Sequence, residues 1–351
     1  MAPSKPTPSS AHGSADASAY KDAGVDLGAS AEALQRMASA VRATYTPAVL
    51  AGLGAFGGAF DALSLKELRA PVLVASTDGV GTKTEVARAL GRFDTVGADL
   101  VNHCVNDILV GGARPLFFLD YVASARLEPA TIAALVGGVA AACRAHAIPL
   151  LGGETAEMPG VYEAGAFDLV GTIIGVAERD AVLTGERVQA GDVVFGLASG
   201  GLQTNGFSLA RKVLGGSLHE AFGASTVGAA LLAPHRSFFG AVWPLLEAGL
   251  VRACAHITGG GLLENLPRAL PAGLGAHLTP TWPVPEIFTL IQKRGGVGAA
   301  EMYRVFNMGV GFALITAPQD AAAVRARLPE AFVIGEVVPG SGVRIEGVAE
   351  S

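Results

Sequence analysis

The stretch Thr-Asp-Gly-Val-Gly-Thr-Lys at residues 77–83 combines residue types that hold a phosphorylated ligand through a cation. Its two glycines let backbone N–H groups approach an anion, and the start of a following helix favours negative charge. The carboxylate of Asp78 would repel phosphate unless a cation such as Mg²⁺ lay between them. The stretch therefore predicts a metal–nucleotide site, and a plain strand-to-helix turn is the structural alternative. It contains neither a Walker A string nor the Gly-x-Gly-x-x-Gly dinucleotide fingerprint.

A second set of polar residues recurs at helical spacing between residues 95 and 113. Asp99, Asn102, His103, Asn106 and Asp107 stand at offsets of 0, 3, 4, 7 and 8, which places them on one helix face. A solvated face usually carries Lys, Glu or Arg, which are good helix formers. Short carboxylate, amide and imidazole groups instead favour a polar cavity or a metal site. Asp107 is the leading single candidate.

Other glycine-rich stretches follow predicted strands. Glu154 comes directly after Gly152-Gly153, and together with Asp78 it predicts a cation site at converging strand ends. The segment 52–58 can close over a phosphate, with a flexible connection as the alternative. The segment 258–261 precedes a predicted helix and favours an anion-binding nest.

The elements that must position these residues follow from the hydrophobic pattern. Apolar β-type runs alternate with helical patterns along the whole chain, which predicts an α/β fold of the α+β type in two lobes. A polar interruption between residues 179 and 191 marks the boundary. We predict a disordered tail at 1–18, domains at 19–182 and 183–345, and a short tail at 346–351.

Composition excludes several classes of protein. The chain has 351 residues, of which 50% are hydrophobic and 16% charged, enough for a large core. A net charge of −6 argues against a nucleic-acid-binding surface. Three distant cysteines, Cys104, Cys143 and Cys254, suggest neither a disulfide framework nor a zinc site and fit a reducing compartment, and we expect Cys104 and Cys143 to be buried small hydrophobes. The sequence shows neither a secretory signal nor a long apolar run, so we expect a cytoplasmic protein with no membrane partner.

Seven long strings in colinear order resemble the phosphoribosylformylglycinamidine cyclo-ligase family, also called aminoimidazole ribonucleotide synthetases. They are YKDAGVD (20–26), TDGVGTK (77–83), CVNDILVGGARPLFFLDY (104–121), GGETAEMPGVY (152–162), TNGFSLARK (204–212), HITGGGLLENLPR (256–268) and EMYRVFNMGVG (301–311). The resemblance implies a homodimer of two-domain subunits, with the N-terminal lobe forming the dimer and the ATP site. It also implies the fifth step of purine synthesis, in which formylglycinamidine ribonucleotide (FGAM) and ATP give aminoimidazole ribonucleotide (AIR), ADP and phosphate.

The resemblance also implies roles for individual residues. ATP phosphorylates the formyl amide oxygen, and the amidine nitrogen then closes the ring through an iminophosphate. The implied Mg²⁺ ligands are Asp78, Asp107 and Glu154, and an additional monovalent cation such as K⁺ is left open. The implied ATP-binding residues are Gly52, Gly54, Gly57, Gly58, Asp78, Gly79, Gly81, Thr82 and Lys83, with Lys83 on phosphate oxygens. The implied substrate-binding residues are Asn205, Gly206, Thr258, Gly259, Gly260 and Gly261. The implied catalytic residues are Asp107, His256, Asn205 and Lys83, although His256 has a structural role as its alternative.

Two positions depart from the usual family pattern. Gln203 replaces a histidine, and we interpret it as a positioning residue because its amide still donates and accepts hydrogen bonds. His103 takes a place usually held by an apolar side chain. Two alternatives to cyclisation stay open: another ATP- and Mg²⁺-dependent phosphotransferase of the same superfamily, and a non-catalytic nucleotide-binding dimer.

Overall fold

The computed structural model describes residues 21–348, so the predicted tail at 1–18 and the last three residues of the chain lie outside it. The described residues form two lobes, each built on its own sheet, which confirms the predicted mixed α/β architecture. Within this range no helix is both long and apolar enough to cross a bilayer. The three cysteines are unpaired and buried, which confirms the predicted burial of Cys104 and Cys143.

The N-terminal lobe is a four-stranded sheet with helices on one face. Its strand order is β3-β6-β4-β5, in which β4 and β5 are parallel and the other neighbours antiparallel. Its elements are α1 (Leu27–Arg42), β1 (Val49–Ala51), β2 (Ala59–Phe60), β3 (Pro71–Gly79), α2 (Lys83–Leu90), α3 (Asp94–Val110), β4 (Arg114–Ser124), α4 (Pro129–Ala145), β5 (Leu150–Glu157) and β6 (Phe167–Glu178).

The alternation of side chains along β6 decides which sheet face the helices cover. Leu169 and Ile173 are buried under the helices, whereas Val170 and Thr172 between them remain partly exposed. Helix α3 packs on β3, β4 and β6, and α4 packs on α3 and β5. The two helices approach closely at Gly97, where a Cβ would lie 2.4 Å from the Leu135 carbonyl oxygen. On the opposite face, Phe60 of β2 packs against Phe117 of β4 with ring centroids 5.2 Å apart, whereas Leu73 and Thr77 on β3 stay exposed.

The C-terminal lobe is a six-stranded sheet in the order β10-β12-β7-β13-β11-β14, antiparallel except for the pair β11–β14. Strand β12, next to the edge strand β10, is buried along its whole length. The elements are β7 (Val193–Ala198), α5 (Phe207–Leu214), β8 (Ala221–Phe222), β9 (Ser225–Thr226), α6 (Val227–Leu231), α7 (Phe239–Glu247), β10 (Ala253–His256), α8 (Gly261–Asn265), β11 (Leu274–Leu278), α9 (Glu286–Gly295), α10 (Ala299–Val305), β12 (Val310–Thr316), α11 (Ala321–Arg327), β13 (Phe332–Pro339) and β14 (Val343–Ile345).

Helix α3 joins the two lobes. One side packs on the N-terminal sheet, and the other contacts β10 and α7 of the C-terminal lobe. The polar face predicted from the sequence is the side turned toward the C-terminal lobe, where Asp99 and Asn106 are fully buried and His103 is nearly so. The prediction that this face is not solvated is confirmed.

Candidate functional site

A cleft of about 410 Å³ opens between the lobes. It collects side chains from β3, α3 and β10 and from the segment that follows β10. The polar residues that line it are Ser76, Asp78, His103, Asp107, His256, Thr258, Asn265 and Arg268. The cleft therefore brings together two of the predicted metal ligands, the predicted catalytic histidine and part of the predicted anion nest.

Asp78 and Asp107 present carboxylates to this cleft from two different elements. Asp78 ends β3 and is 42% exposed, and Asp107 lies on α3 and is 26% exposed. The His103 Nε2 atom lies 2.7 Å from Asp78 Oδ2 and 3.7 Å from Asp107 Oδ2. Burial alone would raise the pKa of each carboxylate, but nearby histidines outweigh it and both pKa values are lowered. Both groups are therefore ionised at neutral pH and suited to a cation.

His256 ends β10 and faces Asp107 across the lobe interface. Its Nδ1 atom lies 2.8 Å from Asp107 Oδ1, and Ser76 Oγ donates to Asp107 Oδ2 at 3.0 Å. Burial lowers the pKa of His256, and the hydrogen bond to Asp107 only partly opposes this. The imidazole is consequently neutral at pH 7. It lies against the carboxylate of Asp107, the leading catalytic candidate, and is not exposed to solvent.

A third histidine, His235, connects His103 and His256 behind the cleft. His235 Nε2 lies 3.0 Å from His256 Nε2, and His235 Nδ1 lies 3.2 Å from Thr204 Oγ1. The same hydroxyl lies 2.7 Å from His103 Nδ1. His235 is fully buried, which lowers its pKa well below the usual value, and the neighbouring histidines add to this effect. Three imidazoles and one hydroxyl thus form a continuous chain between Asp78 and Asp107.

The loop at 258–261 is held open by the buried side chain of Asn265. Asn265 Nδ2 donates to the carbonyls of Thr258, Gly259 and Gly261, the last at 2.9 Å. Gly260 has φ of +93°, a conformation that glycine adopts readily. Asn205 lies beside this loop, since a Cβ at Gly259 would be 3.4 Å from Asn205 Oδ1. The predicted substrate residues 205 and 258–261 are therefore neighbours.

The other predicted residues of the 77–83 stretch form the turn between β3 and α2. Gly79 and Gly81 connect β3 to α2, and Gly81 has φ of +64°. Thr82 Oγ1 lies 3.3 Å from Ser208 Oγ in the first turn of α5. Gly206 immediately precedes α5, and a Cβ there would collide with the Phe306 ring. This turn thus packs against the C-terminal lobe.

The position of Lys83 corrects its predicted contact with phosphate. Its side chain is fully buried, and Nζ lies 2.7 Å from Asp99 Oδ2. It also donates to the carbonyls of Gln203 at 3.0 Å and Ala233 at 2.8 Å. Because an ammonium group has three N–H donors, all of them are used inside the protein. Lys83 therefore joins the lobes, and this arrangement leaves it no donor for a ligand.

Glu154 and the loop at 52–58 lie at the opposite edge of the N-terminal sheet from Asp78. In register, Asp78 pairs with Gly171, Gly171 with Asp120, and Asp120 with Gly153. Three strand spacings separate the two edges by about 14 Å. Gly58 lies against Leu151 on β5. The loop with Gly52, Gly54, Gly57 and Gly58, which was predicted to close over a phosphate, therefore lies at the β5 edge of the sheet. Within one chain, Glu154 therefore does not share a cation with Asp78 and Asp107.

The Gln203 side chain is also placed differently from our interpretation. Its backbone lies in the left-handed region at φ of +64°, and its amide is buried without a hydrogen-bond partner among the described residues. It lies beside Gly311, where a Cβ would be 2.7 Å from Gln203 Nε2. The amide therefore positions nothing through hydrogen bonds in this conformation.

Sequence analysis missed three residues of the site. His235 was included in a helical pattern predicted over 234–248, but it lies in an irregular segment before α7, and its residue type alone did not indicate its role. Asn265 and Arg268 stand within the HITGGGLLENLPR string but were not singled out. Arg268 brings a positive charge to the cleft, and its Nη1 contacts Asn265 Oδ1 at 3.3 Å. A cation next to a nest of backbone N–H groups was the signal that could have identified it.

Comparison with known proteins identifies the family of both lobes. The family model described as AIR synthase related protein, N-terminal domain, matches residues 61–177, and the corresponding C-terminal domain model matches residues 189–348. A phosphoribosylformylglycinamidine cyclo-ligase from Gloeobacter violaceus is 50% identical over 93% of this chain and 99% of the relative. One from Desulfitobacterium hafniense is 49% identical over 91% of this chain and 96% of the relative.

A solved structure shows the same fold at lower identity. The crystal structure of HypE from E. coli superposes with a TM-score of 0.67 at 19% identity, covering 90% of this chain and 94% of that protein. With the family models and the curated relatives, this confirms the predicted superfamily fold. The chain belongs to the AIR synthase family, together with the phosphoribosylformylglycinamidine cyclo-ligases that match more than nine-tenths of its length.

Proposed function

We propose that this chain catalyses the ATP-dependent cyclisation of FGAM to AIR, with release of ADP and phosphate. The observation that carries the proposal is the inter-lobe cleft, which places two ionised carboxylates next to a loop of backbone N–H groups and Arg268. Carboxylates suit a nucleotide-bound cation, whereas the loop and Arg268 suit a phosphate monoester. A reaction between ATP and a ribose phosphate needs both kinds of site side by side.

The chemical steps balance with the groups available. The formyl amide oxygen attacks the γ-phosphorus of ATP, ADP leaves, and the amide nitrogen releases its proton to solvent, which gives an iminophosphate. The amidine nitrogen then attacks the activated carbon, the C–O bond breaks, and phosphate departs with the former formyl oxygen. The nitrogen loses one proton, and the neutral His256 imidazole beside Asp107 is placed to accept it.

Asp78 and Asp107 fit a Mg²⁺ ion because both are ionised oxygen donors at the cleft, and Asp78 is substantially exposed. When bound, this ion supplies charge neutralisation for the phosphoryl oxygens. The protein residues contribute mainly orientation: Ser76 and His256 fix Asp107, and Asn265 fixes the loop that receives the substrate. In phosphoryl transfer, such positioning and electrostatic stabilisation provide most of the rate acceleration.

A homodimer through the exposed part of the N-terminal sheet face that lies opposite the helices completes the proposal. Leu73 on that face is 63% exposed, and Thr77 and Thr172 form an exposed cross-strand pair at 2.8 Å. An exposed apolar sheet face favours association with a second copy. A partner subunit could bring its own β5 edge, with Glu154 and the 52–58 loop, toward Asp78. The two halves of the predicted nucleotide site would then belong to different chains.

The dimer is tested by sedimentation of the wild type and of Leu73→Asp. We expect a dimer for the wild type and a folded monomer with weakened ATP binding for the variant. The exposed Leu63→Asp, off this sheet face, is the matched control and should stay dimeric. A wild-type monomer that retains full ATP affinity would contradict the shared site.

The reaction is tested with FGAM labelled with ¹⁸O at the formyl oxygen. Cyclisation through an iminophosphate delivers the label to inorganic phosphate. Label released into water instead of phosphate would rule out phosphorylation of this oxygen. ADP release without ring closure would instead favour another phosphotransferase of the superfamily, and ATP binding without any ADP release would favour a non-catalytic dimer.

A further inference from the structure

A second cavity, here called the linker pocket, lies where the two lobes meet the segment that joins them. Its volume is about 350 Å³, which is within the range of about 300–1,000 Å³ typical of small-molecule sites. The N-terminal sheet contributes the start of β4 and the end of β6, and the connecting segment contributes residues between 180 and 187. Helix α7 and the turn after it close the pocket from the C-terminal lobe.

The linker pocket is separate from the inter-lobe cleft. Gly171 on β6 is level with Asp78, whereas Glu178 at the end of the same strand lines the linker pocket. At roughly 3.4 Å per residue these two levels are about 24 Å apart. The end of α3 lies between the two cavities, since Val110 lines the cleft and Gly112 lines the pocket. A molecule in the linker pocket would therefore not touch the carboxylates or histidines of the cleft.

An aromatic ring and several aliphatic side chains form the apolar wall of the linker pocket. Trp243 is half-buried, and its ring stacks on Phe239 with centroids 5.2 Å apart. Leu183 and Leu246 line the pocket beside it. Among the described residues the indole N–H of Trp243 has no acceptor, although that of the buried Trp282 donates to the Met308 carbonyl at 3.0 Å. The wall suits a flat apolar ring and offers one free donor.

Two guanidinium groups also line the linker pocket. Arg114 is half-buried at the start of β4 and has no hydrogen bond or ion pair within the described part of the chain. Arg187 Nη2 donates to the Val251 carbonyl at 3.1 Å, which anchors its side chain and leaves other N–H groups free. Removing a charge from water without a partner is unfavourable, so an anion beside Arg114 would be stabilised.

The acidic residues of the linker pocket are mostly neutralised by the protein itself. The two carboxylate oxygens of Glu178 accept from the backbone N–H groups of Arg69 at 2.9 Å and Ala70 at 2.8 Å. Asp180 pairs with the Arg69 side chain at 3.1 Å. Glu247 is the third acid and is exposed to solvent. The charge that is left for a ligand in the pocket is therefore mainly positive.

We propose that the linker pocket binds a small planar aromatic anion, whose ring lies against Trp243 and whose acidic group pairs with Arg114 and Arg187. A guanidinium fits a carboxylate or phosphate through two parallel hydrogen bonds. Because this ligand contacts both lobes and the segment between them, its binding stabilises their mutual arrangement. The site goes beyond the cyclisation reaction and does not depend on it, since it is tested without ATP or FGAM.

The test is a titration of the full-length protein, labelled with 5-fluorotryptophan, with 2-naphthoate as the probe. The chain has two tryptophans, so fluorine NMR gives one signal for Trp243 and one for Trp282, and Trp243→Phe assigns them. We expect a saturable shift of the Trp243 signal, an unchanged Trp282 signal and a higher Tm with the probe bound.

Two comparisons test the contribution of the charges. Arg114→Gln and Arg187→Gln should each weaken binding of 2-naphthoate about 10-fold, because each removes charged hydrogen bonds to the carboxylate. The neutral analogue 2-naphthamide should bind the wild type more weakly by a similar factor. Arg36→Gln is the control, because Arg36 pairs with Glu32 on an exposed helix surface outside the pocket, and it should bind like the wild type.

Three results would overturn the proposal: no saturable shift of the Trp243 signal, equal affinity for 2-naphthoate and 2-naphthamide, or displacement of the probe by Mg-ATP. Equal affinity would mean that the pocket is only an apolar surface, and displacement would place the probe in the nucleotide site. If Arg114→Gln does not fold, the comparison of the two probes on the wild type still decides the question.

Discussion

Replacing Lys83 by methionine tests whether this residue joins the lobes or binds phosphate. The substitution keeps the length of the side chain but removes the charge that faces Asp99 at 2.7 Å, where both side chains are fully buried. It also leaves the carbonyls of Gln203 and Ala233 without the donors that now reach them. Burial lowers the pKa of Lys83 and raises that of Asp99, and the attraction between them opposes both shifts.

The expected loss of stability is large because a buried charge would lose its partner. Breaking a buried ion pair on one side costs about 3–5 kcal/mol. A typical domain has only about 5–15 kcal/mol of unfolding free energy in total. The double variant Lys83→Met/Asp99→Asn removes the unpaired charge and keeps an acceptor for the backbone N–H of His235. It should therefore recover part of the loss.

Urea unfolding followed by circular dichroism measures these differences. Arg36→Met is the control, because Arg36 pairs with Glu32 on an exposed helix surface and should change the midpoint little. If Lys83 instead contacted phosphate, Lys83→Met would raise KM for ATP and leave the unfolding free energy unchanged. That outcome would refute the structural role argued above.

Three further variants test other parts of the site. Asp107→Asn should lower kcat/KM about 100- to 1,000-fold while Tm stays within a few degrees, and a large loss of stability would make Asp107 structural. Asn265→Ala should raise KM for FGAM more than KM for ATP, because Asn265 holds the loop at 258–261, and equal changes in both would contradict that role. Burial raises the pKa of Asp120 from 3.8 to about 7, so the folded state keeps a proton that the unfolded chain releases. That stabilisation is complete below pH 3.8 and is lost as pH rises through 7. Asp120→Asn should therefore gain up to about 4 kcal/mol relative to wild type between pH 4 and pH 8, and parallel pH curves would refute it.

Local pattern was sufficient to locate the central elements of the site. The apolar run before Asp78 predicted β3, and the helical offsets from Asp99 to Asp107 predicted α3. In both segments the spacing of similar side chains along the sequence matches the repeat of the backbone. The same offsets showed that the polar face of α3 is not solvated. They did not show what packs against it, since periodicity defines a face but not its neighbour.

Strand order explains why the predicted cation site combined two residues that lie far apart within one chain. Asp78 and Glu154 each follow a glycine-punctuated strand, and both strands point the same way in the sheet. The strands nevertheless form its two opposite edges, which sequence spacing does not reveal. Glu154 can meet Asp78 only through a second chain.

Long-range contacts account for the remaining surprises. Lys83 looked like a phosphate ligand because of its motif, but its partner Asp99 lies on a different helix. His235 is 132 residues beyond His103 and had no local signal, yet both contact Thr204. The helix predicted to follow the segment 258–261 is divided into α8 and a 3₁₀ turn at Leu266–Ala269, where Pro267 lacks the N–H that an α-helix needs.

The central claim is tested most directly by measuring ADP and AIR together after mixing the protein with Mg-ATP and FGAM. We expect one ADP for each AIR formed and no ADP without FGAM. In Asp107→Asn, both products should disappear together. ADP formed without AIR, or at the same rate when FGAM is omitted, would contradict cyclisation as the function of this site.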